Sequence, residues 1–391
     1  MTPNGTVELP TVITIAPPTS SPTGVRTSVP NCLGNGLTHT PAAGFGLPGK
    51  IVYQDGNEQG LYAVGGVPLA HSQLSVPKTQ EDVVFGFSPD GKWLAYAPVQ
   101  YATSVTPMFE TPSLVMLSAD NVKVEHTLDV SRFKDELEPP EHFSGVSRYG
   151  YWMNKELLYV ILDIENPNGT LAGSSAKLYD PSTGQWQESL LRKLSGWRTG
   201  AEFAFSPDLT LALYELESGV VLRDLNQDRK IWSDVALDTG HGTIIRWAPN
   251  GAMVAVANIP TLPEDWRIRL VSRDGSSVKT ILDSAYPAPT PAFLVYFIGW
   301  SPDGRFLGIV TQEDVPTIYI YDTTSDEYRY RCPLPSYRQY APETVWSPDS
   351  AYVAFAAPVL HLPLQVLNVH DGIVTEVTQD AMAVGWTNKW P

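Results

Sequence analysis

The sequence lacks long apolar segments and is poor in positive charge. No apolar run approaches the roughly 18 to 20 residues that a membrane-spanning helix needs, and residues 1–30 lack the basic and then apolar pattern of a signal peptide. Lys and Arg together number 26 against 42 Asp and Glu, which gives a formal net charge of −16. Because that charge repels phosphate backbones and anionic lipid, we expect no nucleic-acid partner. Because long apolar runs are missing, we expect no membrane span.

The common catalytic and metal-binding motifs are also missing. The chain has no G-x-S-x-G elbow, no H-E-x-x-H and no Gly-rich phosphate loop. Asp224–Asp228 supplies the first three ligand places of a calcium loop, but Arg229 stands where that loop needs Gly and Val235 where it needs Glu. The seven His residues are scattered without metal-ligand spacing. The sequence therefore predicts no metal, no cofactor and no catalytic residue.

Cysteine is scarce, with Cys32 and Cys332 as the two examples and no C-x-x-C spacing. A disulfide between them would close a very long loop and stabilise the fold by up to about 5 kcal/mol in the chain-entropy model. Two independent thiols are the alternative. The sequence leaves both open.

The N-terminal segment differs in composition from the rest of the chain. Thr11–Thr23 is rich in Thr, Pro and Ser and almost free of charge, a composition that stays extended and solvated. It looks like the stalk that follows a secretion or lipoprotein signal in bacterial surface proteins, whereas a disordered tail on a cytoplasmic protein is the alternative. We expect a stalk over 1–30 and an arm over 31–49. We also expect an extracellular, cell-surface or periplasmic protein, and the sequence leaves open whether a preceding signal or lipid anchors it.

One short stretch recurs in the remaining chain: an aromatic residue, a Ser-Pro-Asp-Gly turn and an apolar strand, as in Trp300–Ile309. Pro presets φ at about −65° in a turn, Asp bonds the backbone two residues on, and Gly accepts positive φ. The stretch thus predicts strand, tight turn, strand. Its aromatic positions are Phe87, Trp152, Phe205, Trp247, Trp300 and Trp346.

The spacing of these copies predicts the architecture. The aromatic positions are separated by 65, 53, 42, 53 and 46 residues, close to the period of a four-stranded propeller blade with loop insertions. Ala383–Trp390 has an aromatic strand with no strand after it, and Lys50–Gln54 is a second strand with no aromatic strand before it. We therefore predict an all-β, seven-bladed β-propeller of four-stranded antiparallel blades, closed by pairing the C-terminal strand with the N-terminal blade.

The recurring W-S-P-D-G-(K/R)-x-(I/L)-A-(F/Y) form, with a later strand such as Thr317–Asp322, resembles the repeat of TolB-type β-propellers over residues 50–391. The chain departs from that repeat at Trp152–Glu156 and at Leu209, which replaces the turn Gly. The resemblance implies binding of partner proteins at one face in the cell envelope. Prolyl oligopeptidases and dipeptidyl peptidases share the repeat but carry an α/β-hydrolase domain, for which no room remains here, so we expect no peptidase activity.

We expect a partner to bind at the loop face opposite the Ser-Pro-Asp-Gly turns, where the longer loops lie. Exposed aromatic residues and Arg dominate binding hot spots, and two His residues near the same connections could meet at the axis. The candidate binding residues are Phe143, Trp197, Arg198, His241, Trp266, Tyr286, Tyr337, Arg338, Tyr340 and His361. The alternative is that half or more of the aromatic residues cap the blade cores.

The function expected from the sequence is that of a monomeric, non-catalytic propeller that binds a neutral or basic protein or peptide. The alternative is a carbohydrate-active or other hydrolytic enzyme with a site in the central funnel. Carboxylates and His converging in the funnel would favour the enzyme, whereas an aromatic rim without them would favour binding.

Overall fold

The computed structural model shows an all-β chain. It describes residues 29–32, 40–55, 61–74, 81–88, 90–99, 113–118, 123–129, 145–153, 156–164, 171–187, 193–195, 202–235, 242–258, 266–283, 294–313, 315–334, 343–356, 362–379 and 381–388. In these residues no helix is long and apolar enough to cross a membrane. Of the predicted stalk, residues 1–28 lie outside the described ranges, and of the predicted arm, residues 33–39 lie outside them.

The described strands form seven four-stranded antiparallel sheets, as the sequence predicted. Blade 1 pairs the C-terminal strand with the first three strands of the chain, and blades 2 to 7 each use four consecutive strands. Blades 1 to 3 contain β28 (Ala381–Thr387), β1 (Leu47–Asp55), β2 (Leu61–Gly66), β3 (Ala70–Gln73); β4 (Glu81–Phe87), β5 (Trp93–Val99), β6 (Ser113–Ser118), β7 (Lys123–Asp129); and β8 (Gly145–Met153), β9 (Glu156–Ile164), β10 (Leu171–Asp180), β11 (Gln185–Trp186).

Blades 4 to 7 follow the same meander. They contain β12 (Phe203–Phe205), β13 (Leu211–Leu216), β14 (Gly219–Asp224), β15 (Arg229–Asp234); β16 (Thr243–Trp247), β17 (Met253–Asn258), β18 (Arg267–Ser272), β19 (Val278–Asp283); β20 (Leu294–Trp300), β21 (Phe306–Gln312), β22 (Pro316–Asp322), β23 (Glu327–Pro333); and β24 (Glu343–Trp346), β25 (Tyr352–Ala356), β26 (Leu364–Asn368), β27 (Val374–Thr378). The first strands of neighbouring blades contact one another, as in β12, β16, β20, β24 and β28, so they form the inner wall of the ring.

The ring closes through β28 and β1. Lys50 pairs with Thr387 and Ile51 with Trp386 in an antiparallel register. The next blade packs tightly on this closure, because a Cβ added to Gly385 would lie 2.3 Å from the Phe87 ring. The predicted pairing of the C-terminal strand with the N-terminal blade is therefore confirmed.

The Ser-Pro-Asp-Gly turns are stabilised by hydrogen bonds among their own residues. In blade 6 the Ser301 hydroxyl donates to Asp303 Oδ1 at 2.6 Å and accepts the Phe306 N–H at 2.8 Å. The Arg305 N–H donates to the same Asp303 oxygen at 3.0 Å. Gly304 has a φ of 72° and its N–H donates to the Ser301 carbonyl. Each turn thus satisfies its own polar groups and ends the inner strand.

The turn geometry survives where Gly is absent. Leu209 takes a φ of 59° and Ser350 a φ of 61°, the region that Gly occupies in the other turns. The flanking bonds are kept, because the Ser206 hydroxyl donates to Asp208 at 2.7 Å and that of Ser347 to Asp349 at 2.6 Å. The departure noted at Leu209 therefore changes the residue and leaves the turn intact.

The apolar core lies between adjacent blades. Phe306 and Val310 of blade 6 pack with Trp346 and Phe355 of blade 7 in one buried cluster. The Phe306 and Trp346 rings are parallel to within 7°, with centroids 6.2 Å apart. Each blade buries its faces against its neighbours. Of the repeat aromatic residues, Phe205, Trp300 and Trp346 are buried core residues, and Phe87 and Trp247 are partly buried and pack against core clusters.

A disulfide joins Cys32 to Cys332. Both residues are buried, and their Cα atoms are 5.0 Å apart, within the usual range. The Cys32 N–H donates to the Arg331 carbonyl at 3.1 Å and the Arg331 N–H to the Pro30 carbonyl at 2.9 Å, so Asn31 forms a parallel bridge on the outer edge of β23. Of the two alternatives for the cysteines, the structure shows the pair. Such a bond is typical of proteins from oxidising, extracytoplasmic compartments.

Candidate functional site

The two faces of the ring are built differently. Inner strands run toward the Ser-Pro-Asp-Gly turns, so one face, the turn face, carries these turns and the turns between the third and fourth strands. The opposite face carries the connections into each inner strand and from the second to the third strand. In the described part of the opposite face, Glu217 and Ser218 form an exposed tight turn between β13 and β14.

Nine of the ten predicted binding residues lie outside the described residues: Phe143, Trp197, Arg198, His241, Tyr286, Tyr337, Arg338, Tyr340 and His361. Trp266 is described, and only 3% of it is exposed. It precedes β18 and packs in the core with Ile268, Leu270 and Val295. Its assignment as an exposed contact residue is corrected: Trp266 caps a blade core, the alternative stated for these aromatic residues.

A polar cluster occupies the inner end of the opposite face between blades 4 and 5. We call Glu202, Glu215, Thr243 and Arg246 the blade 4–5 cluster. The Arg246 guanidinium donates to Glu202 Oε1 at 2.8 Å, and the Thr243 hydroxyl donates to Glu215 Oε2 at 3.2 Å. The Glu215 N–H donates to the Glu202 carbonyl at 2.9 Å. The two carboxylates therefore belong to neighbouring positions of one hairpin.

The local fold explains why these groups meet. Phe205 pairs with Ala212 and Phe203 with Tyr214, so the register of the β12–β13 hairpin places Glu202 opposite Glu215. Arg246 lies on β16, the inner strand of the next blade, and also donates to the Ile245 carbonyl at 2.7 Å. Cross-strand neighbours on one hairpin and one guanidinium from the adjacent blade thus form the cluster.

The electrostatics of the cluster are asymmetric. Burial raises the pKa of the Glu202 carboxyl, the Arg246 guanidinium lowers it, and the negative charge of Glu215 raises it again, with a net upward shift. The Glu202 and Arg246 side chains are 26% and 28% exposed, whereas Glu215 is 6% exposed. Two carboxylates against one guanidinium leave one negative charge, so the cluster favours a cation or a proton.

Sequence reasoning did not single out Glu202 or Glu215. A signal was present, because a known turn fixes the register of the strands on either side of it. Counting outward from Ser206–Leu209 would have placed the two acids opposite each other. The partner from the next blade, Arg246, has no comparable signal, since the contact depends on the packing of two blades.

A second buried polar group lies in blade 6 beside the arm. The Tyr319 hydroxyl and the Arg331 guanidinium both donate to the Glu313 carboxylate, and Arg331 Nε donates to the Tyr319 oxygen at 3.2 Å. Burial first, and then the bond to Glu313, raise the pKa of Tyr319 above its usual value. The groups satisfy one another, so this triad is structural. Over the described residues, no group of three or more His, Cys, Asp or Glu could hold a metal ion.

Comparison with known proteins supports the architecture. No family model matches the chain, and no curated protein matches it. Among solved structures, a functionally unknown protein from Desulfotomaculum acetoxidans DSM 771 is 12% identical, with a TM-score of 0.51 over 87% of this chain and 97% of that one. TolB from Acinetobacter baumannii is 14% identical, with a TM-score of 0.45 over 86% and 82%. An oligogalacturonate lyase in complex with manganese is 14% identical, with a TM-score of 0.47 over 86% of each chain. At these identities the likeness concerns the fold alone: the chain is a seven-bladed β-propeller.

Proposed function

We propose that this protein is a non-catalytic propeller of the bacterial cell envelope or extracellular space that binds a protein or peptide through the opposite face. The observation that carries the proposal is the contrast between the two faces. The Ser-Pro-Asp-Gly turns satisfy their own polar groups, as Ser301 and Asp303 do. The opposite face instead presents a partly exposed cluster with unbalanced negative charge, at Glu202, Glu215 and Arg246.

The charge of the chain indicates the kind of partner. The formal net charge is −16, and one of these negative charges is the surplus carboxylate of the blade 4–5 cluster at the inner end of the opposite face. A basic partner would be steered toward that surface and a strongly acidic one repelled. We therefore propose a partner that presents Lys or Arg, in line with the TolB-type resemblance of the repeat and with the disulfide, which fits an extracytoplasmic location.

Matched charge reversals test this proposal. Glu217→Lys alters the exposed β13–β14 turn on the opposite face, and Glu327→Lys alters an exposed position at the start of β23 on the turn face. Immobilised wild type is used to isolate a partner from the native envelope, and the purified partner is then titrated against each variant. We expect Glu217→Lys to weaken binding about tenfold and Glu327→Lys to leave it unchanged. Equal effects of the two variants, or a loss with Glu327→Lys alone, would refute the assignment of the face.

A second candidate function rests on the carboxylate pair. Burial raises the pKa of Glu202, which lies beside Glu215 on one hairpin, and a carboxyl with a raised pKa suits a general acid. This arrangement favours a carbohydrate-active or other hydrolytic enzyme with a site in the central funnel. Loss of a glycoside- or ester-hydrolysing activity in Glu202→Gln and in Glu215→Gln, with folding retained, would support the enzyme; absence of any such activity in the wild type would exclude it.

A further inference from the structure

Blades 3 and 6 contain the same turn between their third and fourth strands. Tyr179–Trp186 and Tyr321–Tyr328 both begin with Tyr-Asp and end on an aromatic residue. In each, the Asp side chain accepts the N–H two residues on, from Ser182 at 2.9 Å and from Thr324 at 3.0 Å. The residue five places after the Tyr has positive φ in both, 68° at Gly184 and 64° at Asp326. Blade 6 therefore serves as an internal reference for blade 3.

In blade 6 the turn supplies a carboxylate to the tyrosine. The Tyr321 hydroxyl donates to Asp326 Oδ1. The other oxygen of Asp326 pairs with Lys279, which lies on β19, the outer strand of the preceding blade. Lys279 Nζ is 6.0 Å from the centroid of the Tyr321 ring. We call the space enclosed by Tyr321, Asp326 and Lys279 the slot. In blade 6 the slot holds the Asp326 carboxylate between a phenol and a cation.

In blade 3 the same slot has no carboxylate of its own. Gly184 stands in the place of Asp326, and the buried Tyr179 hydroxyl has no hydrogen-bond partner among the described residues. A Cβ added to Gly184 would lie 3.9 Å from that hydroxyl oxygen, and no other atom of the described residues lies within 4 Å apart from its chain neighbours. Gly184 is itself exposed, whereas the Tyr179 hydroxyl behind it is buried.

The other residues around the slot occupy corresponding positions in the two blades. His126 on β7 of blade 2 lies edge-on to Tyr179, with ring centroids 6.2 Å apart, and takes the place of Lys279. The registers agree, because His126 pairs with Met116 as Lys279 pairs with Leu270. Half-buried Trp93 and Trp186 form the walls. The Trp93 ring centroid lies 5.6 Å from that of His126, and the Trp186 ring centroid lies 4.8 Å from that of Tyr179.

We propose that the notch at Gly184, between blades 2 and 3 on the turn face, binds a carboxylate group of a ligand. The carboxylate accepts a hydrogen bond from the Tyr179 hydroxyl and pairs with His126, as the Asp326 carboxylate does with Tyr321 and Lys279. An unsatisfied buried hydroxyl is costly, and such groups commonly mark the place of a ligand or a water. Burial raises the pKa of Tyr179, which keeps its proton available for donation. This site is separate from the proposed partner face.

The test uses the whole disulfide-bonded protein and two probes, sodium acetate and N-acetylaspartate amide, followed by saturation-transfer NMR. We expect saturable binding of at least one probe to the wild type. Acetate alone would point to a free small carboxylate, and the aspartate derivative alone to a peptide side chain. Tyr179→Phe should weaken binding about tenfold, equivalent to about 1.4 kcal/mol, and Gly184→Asp should abolish it because the new side chain fills the notch.

Tyr321→Phe provides the matched control, since it removes a phenol from the slot that is already filled; probe binding should be unchanged. Tyr179→Phe removes an unsatisfied hydroxyl, so its melting temperature should equal or exceed that of the wild type, which separates lost binding from misfolding. Binding that is equal in the wild type, Tyr179→Phe and Gly184→Asp, or no binding to the wild type, would overturn the proposal and leave water as the occupant of the notch.

Discussion

At the residue scale, the repeated tryptophan does more than fill a core. The indole N–H of Trp247, Trp300 and Trp346 donates to a carbonyl on the inner strand of the preceding blade: Ala204 at 3.0 Å, Arg246 at 2.9 Å and Gly299 at 3.2 Å. Trp152 does the same to Gly86 at 2.8 Å. Each of these residues therefore ties two blades together at the inner wall.

Replacing Trp300 by Phe should destabilise the protein by about 1–2 kcal/mol, because the Arg246 carbonyl loses its donor while an aromatic ring remains. Phe205 holds the same position in blade 4, which shows that the position accepts a phenyl ring. Guanidinium denaturation gives the free energy of unfolding. Trp232→Phe on the outer strand β15 is the control; a cost equal to that of Trp300→Phe would assign the effect to ring size and refute the role of the hydrogen bond.

The turn glycines offer a matched pair of substitutions. Gly251 and Gly304 have φ values of 67° and 72°, so Ala at either position carries a similar backbone cost of about 1–2 kcal/mol. A Cβ at Gly304 would lie 2.5 Å from Asn250 Nδ2, whereas one at Gly251 would lie 3.1 Å from Arg273 Nη1. We expect both variants to unfold at lower denaturant, with Gly304→Ala the less stable. The reverse order would contradict the packing described for the turn face.

The sequence predicted the role of these residues only in part. The hydrogen bonds of the Ser-Pro-Asp-Gly turn are local, so the order of these four residues is enough to predict the turn at Ser301–Gly304. The indole bonds are not local, since the acceptor of Trp300 lies on another blade and its place depends on how the blades stagger. For the same reason Trp266 was placed in an exposed loop when it belongs to the core.

At the scale of the element, the β12–β13 hairpin determines the electrostatics of the blade 4–5 cluster. Its register sets Glu202 beside Glu215, and the blade next to it supplies Arg246. Burial and the neighbouring carboxylate raise the pKa of Glu202 despite the guanidinium. The hairpin could be predicted from its turn, whereas the side chain that crosses from β16 could not.

The raised pKa of Glu202 has a consequence for stability. Because the folded state holds this proton more tightly than the unfolded state, the contribution of Glu202 is full below its ordinary pKa and is lost as pH rises through the raised value. The side chain introduced by Glu202→Gln cannot titrate, so this variant should lose less stability than the wild type as pH rises above the ordinary Glu pKa of about 4. Thermal melts at pH values above that pKa measure the difference. A wild type that instead gains stability relative to the variant as pH rises would contradict the upward shift.

At the scale of the whole molecule, two contacts between distant parts of the chain hold the ring. One is the pairing of β28 with β1, which the unmatched strands at both ends of the sequence predicted. The other is the Cys32–Cys332 disulfide, whose partners are separated by 300 residues. Sequence could not decide that bond, because the position of the arm on β23 follows from the finished ring.

The disulfide should contribute substantially to global stability. Removing the crosslink gives the unfolded chain more conformational freedom, which lowers the free energy of unfolding by up to about 5 kcal/mol in the chain-entropy model. We expect Cys32→Ser and Cys332→Ser each to lower the guanidinium midpoint, and a reductant to lower that of the wild type but not of the variants. If neither reduction nor substitution moves the midpoint, the disulfide has no such role.

The central functional claim is that a partner binds the face opposite the Ser-Pro-Asp-Gly turns, and amide hydrogen exchange with and without purified partner tests it most directly. We predict that the partner slows exchange in the β13–β14 turn at 216–219 and in the connections at 196–201 and 335–342, which carry Trp197 and Tyr340. Exchange in the turns at 301–305 and 347–351 should stay unchanged. Protection of those turns, with none in the opposite-face segments, would contradict the account.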